Sequence, residues 1–254
     1  MEKQLYGTVL LKADKILSYL AGCQEPQALY TIAKETELTN STALKILETL
    51  NYIGYVYKDT ESKKFSLGPT IIKYANKAIE HLDIKSIAQP HLEALQEDTT
   101  ETVHLGIQDK ANIVYVAKIE SKNPICLYSK VGKSIPMYCS AMGKAVLADT
   151  ADEEVEVYLK DNELVKMTEK TITTKNAFRE EIANIRNIGF AYDNCEHEEE
   201  VFCVGASITI DGKNYGAVSV STPKYRVTKQ FEQQVIKAVQ KCQANIIKDI
   251  KASL

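Results

Sequence analysis

The chain has 254 residues, 44% of them apolar and 26% charged, with a net charge of −3, so it can bury a core of ordinary size. No apolar run approaches the about 20 residues of a membrane span, and Met1-Glu2-Lys3-Gln4 lacks the layout of a secretory signal. Cys23, Cys126, Cys139, Cys195, Cys203 and Cys242 contain no Cys-x-x-Cys pair, so a disulfide scaffold is not expected and the chain reads as cytoplasmic, with no membrane partner.

Charge divides weakly along the chain. Residues 1–80 carry ten Lys against nine Asp or Glu, and the remainder has a net of −4; this asymmetry does not by itself argue for nucleic acid. Val9, Leu10, Ala13, Ile16, Leu17 and Leu20 recur at helical spacing. After the break at 21–26, a second short helix carries Leu29, Ile32 and Ala33. A third opens at Asn40 or Ser41 as N-cap and buries Ala43, Ile46, Leu47 and Leu50. Tyr52 to Tyr57 is aromatic and β-branched and reads as a strand. The polar run 58–64 is a hairpin tip, and Phe65-Ser66-Leu67 the returning strand. Three helices and a hairpin over residues 6–67 give the winged helix-turn-helix order.

A helix over 70–82, with Ile71, Ile72, Ala75 and Ile79 on one side, is expected to join two domains. A longer helix follows, in which Pro90 must start a new helix or kink the old one. Strands are then expected at 102–108, 112–120, 125–130, 189–194, 203–210 and 214–221, and helices at 140–149, 152–160, 176–187 and 228–251. The fold class is therefore α+β, with an antiparallel sheet covered by helices. The expected domains are 1–68, a linker helix 69–83, and 84–254.

The third helix presents Ser41, Thr42, Leu44, Lys45 and Glu48 away from its buried stripe. In a helix-turn-helix the start of the second helix touches base edges. Thr39, Asn40, Ser41 and Thr42 are short hydrogen-bonding groups suited to phosphates or bases. Lys45 can reach a guanine edge or a phosphate. Leu44 either packs on thymine methyls or is partly buried in the core. Lys58, Lys63 and Lys64 at the hairpin tip either contact phosphates or are simply solvated. Enzyme signatures are incomplete: Gly132-Lys133-Ser134 lacks the first P-loop glycine, and Gly205-Ala206-Ser207 lacks the closing glycine of a nucleophile elbow. Cys195, His197 and Cys203 supply three zinc-ligand types within nine residues, without a clear fourth, so no metal is expected. His104 on an alternating strand reads as a core or pocket histidine.

The run Asn40-Ser41-Thr42-Ala43-Leu44-Lys45-Ile46-Leu47-Glu48-Thr49-Leu50 resembles the recognition helix of the IclR (isocitrate lyase regulator) family of transcriptional regulators. The resemblance continues through Gly54-Tyr55-Val56, Phe65-Ser66-Leu67-Gly68, Glu101-Thr102-Val103-His104-Leu105, Ser140-Ala141-Met142-Gly143-Lys144-Ala145 and Ala217-Val218-Ser219-Val220-Ser221, nearly end to end. The family often has Arg in place of Lys45, a polar aromatic or imidazole side chain in place of Leu44, and His in place of Tyr138.

The resemblance implies a winged helix joined by a linker helix to a GAF- or profilin-like effector domain. It implies a homodimer or homotetramer on double-stranded operator DNA, no catalytic residue and no cofactor. By position it places the effector pocket at Ala141, Met142, Gly143, Asp193, Cys203, Ser219 and Ser221. These types suit a small organic or sugar acid. Backbone donors at a helix start hold a carboxylate, Ser219 and Ser221 share a strand face, and Asp193 accepts from a hydroxyl. The plainer reading makes the serines an outer polar face and Asp193 a turn residue. A regulator of organic-acid catabolism, most simply a repressor, is the leading expectation. The alternative is a GAF-like thiol redox sensor or enzyme using Cys203 or Cys139.

Overall fold

The computed structural model of the chain describes residues 7–80, 83–123, 127 and 129–253, leaving aside the side chains of 76–80 and 83. Two compact units divide it, Met1–His81 and Leu82–Leu254.

The first unit holds helices α1 (Thr8–Gly22), α2 (Leu29–Glu35) and α3 (Asn40–Tyr52), the hairpin strands β1 (Val56–Lys58) and β2 (Phe65–Leu67), and helix α4 (Thr70–Glu80). Its core joins Ile16 and Leu20 of α1 to Ile32 and Ala33 of α2. Ala43, Ile46, Leu47 and Leu50 of α3 complete it with Val56 and Phe65 of the hairpin. Leu47 is fully enclosed, which is worth about 2 kcal/mol of apolar burial. An extra bridge between Gln27 and Phe65 ties the hairpin to the residues before α2.

Four details depart from the periodicity. Val9 and Leu10 are exposed rather than buried, because only the C-terminal half of α1 packs on α2 and α3. Thr39, not Asn40 or Ser41, caps α3, its hydroxyl accepting from Thr42 N at 3.2 Å. Tyr52 ends α3 instead of starting a strand, and the strand begins only at Val56 after Gly54 turns the chain at φ +78°. On α4, Ile72 and Ala75 face solvent. The Ile79 side chain lies outside the described residues.

The second unit opens with α5 (Asp83–Thr99), which runs through Pro90 as one helix. Strands β3 (Thr102–Asp109) and β4 (Asn112–Ile119) form a hairpin, and β5 (Ser134–Pro136) pairs on its edge. A 3-10 turn (Met137–Cys139) leads into α6 (Ala141–Ala148), then α7 (Asp152–Asp161) and α8 (Lys175–Ile188). Strands β6 (Ala191–Asn194), β7 (Val201–Ile210) and β8 (Lys213–Pro223) follow, and α9 (Lys229–Ser253) ends the fold. The sheet is antiparallel throughout, in the order β5-β4-β3-β8-β7-β6.

Strand alternation sends two sets of side chains to opposite faces. Val103, Leu105, Val204, Val218 and Val220 pack under α5 and α9. Ile113, Ala191 and Ala217 pack under α6, α7 and α8. The α+β class and the helix-covered antiparallel sheet are as expected. Of the strand expected at 125–130, residues 125, 126 and 128 lie outside the described residues. Leu127, Ser129 and Lys130, which are described, join no ladder, and the edge strand is Ser134–Pro136 instead.

Helix α6 approaches the sheet unusually closely. A Cβ on Gly205 would sit 3.0 Å from Ala141 C and Met142 N, and one on Gly143 would collide with the Met137 backbone. Two glycines thus let the start of α6 lie directly on β7 and on the preceding turn.

Candidate functional site

In the first unit, Thr39, Asn40, Ser41, Lys45 and Glu48 are exposed along the start and outer face of α3, while Thr42 and Leu44 are half-buried. The part of Leu44 that remains exposed lies on the same outer side as Ser41 and Lys45. Thr39 Oγ1 donates to Thr42 Oγ1 at 2.9 Å, so these two hydroxyls are mutually engaged. The hairpin tip is ordered by Asp59, whose carboxylate accepts from Glu61 N, Ser62 N and Ser62 Oγ and is thereby held below its usual range, the Ser62 hydroxyl first among the causes. Lys58 lies over the Phe65 ring at 5.3 Å. Lys63, in a left-handed conformation, donates to Thr60 O at 2.6 Å. Lys64 is exposed beside it.

In the second unit, three expected residues form one row across the sheet. Asp193 on β6 is the register partner of Cys203 on β7, and Cys203 of Ser221 on β8. Cys203 Sγ and Ser221 Oγ are 3.1 Å apart. Ser221 Oγ lies 3.3 Å from His104 Nδ1, and His104 Nε2 lies 2.8 Å from Ser129 Oγ. Burial holds the His104 imidazole at about 3, with the charge of Lys118 acting the same way, so the ring is neutral. These side chains line a recess of about 30 Å³ together with Tyr115 and His197. That is room for a water or two, far below the several hundred Å³ of an ordinary ligand pocket. The lining must move before an organic acid fits.

The structure does not bring the whole expected set to that recess. Ser219 sits one row away, between His104 and Gly205 in register. Ala141, Met142 and Gly143 are buried at the start of α6, and the Gly143 N–H is taken by the Ser140 hydroxyl at 3.1 Å. Gly205 beneath α6 makes the link, since it pairs with Ser219 and touches Ala141. Asp193 also serves a turn, because its Oδ1 accepts Glu196 N–H at 2.7 Å.

Residue periodicity missed the charged cluster behind this row. Lys144, fully buried on α6, donates to Glu181 at 2.9 Å and to Glu196 at 2.6 Å. Burial pulls its pKa down, but the two carboxylates hold it above the ordinary lysine value. Thr168 and Thr171 clamp the same loop through the carbonyls of Cys195 and Glu196. A lysine inside a run of apolar helix residues was the available signal; its partners, 37 and 52 residues away, could not be read locally.

The thiols do not suit a redox role. Burial, then the charge of Asp193, pushes Cys203 well above its ordinary value, and Cys139 is raised to about 12 by the same two causes. A reactive thiol needs the opposite shift. Among the described residues, no three His, Cys, Asp or Glu side chains converge as metal ligands, so Cys195, His197 and Cys203 are not brought together. Among the described residues, no helix is long and apolar enough to cross a membrane.

Comparison with known proteins agrees with both units. The family described as "IclR helix-turn-helix domain" matches residues 9–60, and "Bacterial transcriptional regulator IclR C-terminal" matches residues 76–248. The chain is 30% identical to the HTH-type transcriptional regulator KdgR of Escherichia coli (strain K12) over 228 residues, 89% of this chain and 86% of that protein. It is also 30% identical to the DNA-binding transcriptional repressor YiaJ of the same strain, over 90% of this chain and 81% of that one. The crystal structure of Thermotoga maritima IclR superposes with a TM-score of 0.72 at 29% identity, covering 95% of this chain and 98% of that one. The two family matches fall on the winged helix and on the helix-covered sheet in turn, and the chain belongs to the IclR family of bacterial transcriptional regulators.

Proposed function

We propose that the chain is an effector-responsive repressor of a catabolic pathway for a small organic or sugar acid, acting in the cytoplasm as a homodimer or homotetramer. Residues 1–68 read operator DNA, 69–83 link, and 84–254 bind the effector and self-associate. Asn40, Ser41 and Lys45 face the major groove, with Thr39 and Thr42 shaping the helix start and Leu44 beside them. Lys58, Lys63 and Lys64 meet phosphates.

The observation that carries the effector reading is the row Asp193–Cys203–Ser221 with His104 behind it. It is a set of hydroxyl-binding groups facing a recess in a family of DNA-binding regulators. Ser219 and the start of α6, at Ala141, Met142 and Gly143, would complete the site once the lining opens. Repression is favoured because YiaJ is named a repressor.

The test is fluorescence anisotropy of the full chain on the DNA upstream of its own gene, with and without a panel of organic and sugar acids. Specific binding that one acid weakens at least tenfold is expected. Binding that only aromatic or apolar compounds change would place the effector elsewhere.

A further inference from the structure

Asp193 is 3% exposed and lines the recess. The groups that face it can be taken element by element. From α6 comes Lys144, whose single ammonium already serves both Glu181 and Glu196. From the loop after β6 come Glu196 itself, His197 and Glu198, with His197 Nδ1 3.6 Å from Glu198 Oε1. Cys195 in the same loop, Cys203 on β7, Cys139 before α6 and Tyr115 on β4 all carry raised pKa values, burial first among the causes, and stay neutral. From β3 comes the neutral His104. Lys118, on the far side of His104, is paired with Glu120 at 2.9 Å.

The charge balance is therefore unfavourable. The one buried lysine, Lys144, is taken up by Glu181 and Glu196, Asp193 has no ion-pair partner among the described residues, and Glu198 adds another carboxylate at the rim. A carboxylate ligand entering beside an ionised Asp193 would place two like charges within one small recess, which proteins avoid by keeping one protonated. The single hydrogen bond to Asp193 Oδ1, from Glu196 N–H, does not offset this. Burial, reinforced by the charge of Glu196 and opposed by the Glu196 N–H and by the charges of Lys144 and His197, lifts the Asp193 carboxyl to about 7.

We infer that Asp193 sets the charge selectivity of the recess: an anionic ligand enters together with one proton, held on the Asp193 carboxyl and shared with the ligand carboxylate. This rests on the effector reading above. Above the Asp193 titration, affinity for an anion then falls about tenfold per pH unit. A neutral polyol shows no such dependence.

The experiment has two arms, both on the full chain and on Asp193→Asn, which keeps an acceptor for Glu196 N–H. In the ligand-free protein, infrared difference spectra should show a protonated-carboxyl band that titrates near neutral pH and is missing from Asp193→Asn. In calorimetry with pyruvate and with glyoxylate, in buffers of different ionisation enthalpy, wild type should take up about one proton near pH 8. It should bind at least tenfold more weakly there than near pH 6, while Asp193→Asn binds alike at both. No band that depends on Asp193 overturns the inference even if both acids bind and alter DNA affinity. Binding that is independent of pH overturns it as well. If the band is present but neither acid binds at millimolar concentration near pH 6, the anionic occupant itself is overturned and the acid reading of the site falls with it. DNA binding is unaffected by any of these results.

Discussion

Lys144 Nζ lies 2.6 Å from Glu196 Oε1 where the lysine side chain has no exposed surface and the glutamate is 7% exposed. Glu196 Oε2 has no partner of its own, so the contact of Oε1 with Lys144, helped by the Asn194 N–H at 3.3 Å, keeps the glutamate tolerable in the interior. Removing one member of such a pair strands the other. Lys144→Met should destabilise the second unit by about 3–5 kcal/mol. Adding Glu196→Gln should recover part of that loss. Urea unfolding followed by tyrosine fluorescence is suitable, since the chain has 14 Tyr and no Trp. A loss below about 1 kcal/mol would mean that water reaches the cluster.

Asp193 should make ligand-free stability depend on pH in an unusual direction. Its pKa is raised to about 7 in the fold, mainly by burial, against about 3.9 in an unfolded chain. Between those values the folded state holds a proton that the unfolded state has lost. The contribution is full below about pH 4 and is lost as pH rises through 7. The second unit of the wild type should lose on the order of a few kcal/mol across that window. Asp193→Asn should be flatter and gain relative stability above pH 7. Melting temperatures at half-unit pH steps would reveal an identical slope in both proteins if Asp193 is not the group responsible.

The start of α3 offers separable tests of fold and contact. Thr39→Ala removes the cap on Thr42 N and should cost the first unit about 1 kcal/mol. Lys45→Ala should leave stability unchanged and weaken specific DNA binding about tenfold or more if it reads a guanine. If Lys45 touches only phosphate, all sequences weaken alike and the salt dependence becomes shallower. Unchanged affinity for every DNA would remove Lys45 from the interface.

Gly143→Ala tests the seating of α6. The added methyl would meet the Met137 backbone, which cannot turn aside as a flexible side chain would. A loss of about 1–3 kcal/mol is expected from overpacking. Gly22→Ala, at the end of α1, is the control, because nothing lies within 4 Å of a Cβ there and its backbone is helical. Equal losses in the two variants would rule out steric contact as the cause.

The parts legible in the sequence were those encoded by short-range periodicity. Ala43, Ile46, Leu47 and Leu50 gave the buried face of α3 directly, and the strands expected at 203–210 and 214–221 pair as β7 and β8. Tyr52 and Ile53 misled because β-branched and aromatic residues also end helices, and the turn at Gly54 decides where the strand begins. Ser134–Pro136 carries too few residues to show alternation. Asp193, Cys203 and Ser221 were legible as a group only through family resemblance, since their adjacency depends on the register of three strands. The small size of the recess and the sharing of Lys144 depend on tertiary packing, to which local pattern gives no access.

All eight residues of α6 are buried, so this helix has no face on which a new side chain could be accommodated in water. Its one charged member is tolerated because two carboxylates from α8 and the loop after β6 meet it. Any attempt to retune the ligand preference of the recess by mutagenesis should therefore leave α6 untouched. Variation is better directed to the strand and loop positions that reach the recess from its open side, such as Ser129, His197, Glu198 and Val201. There, a change of size or charge alters the cavity without dismantling the core that supports it.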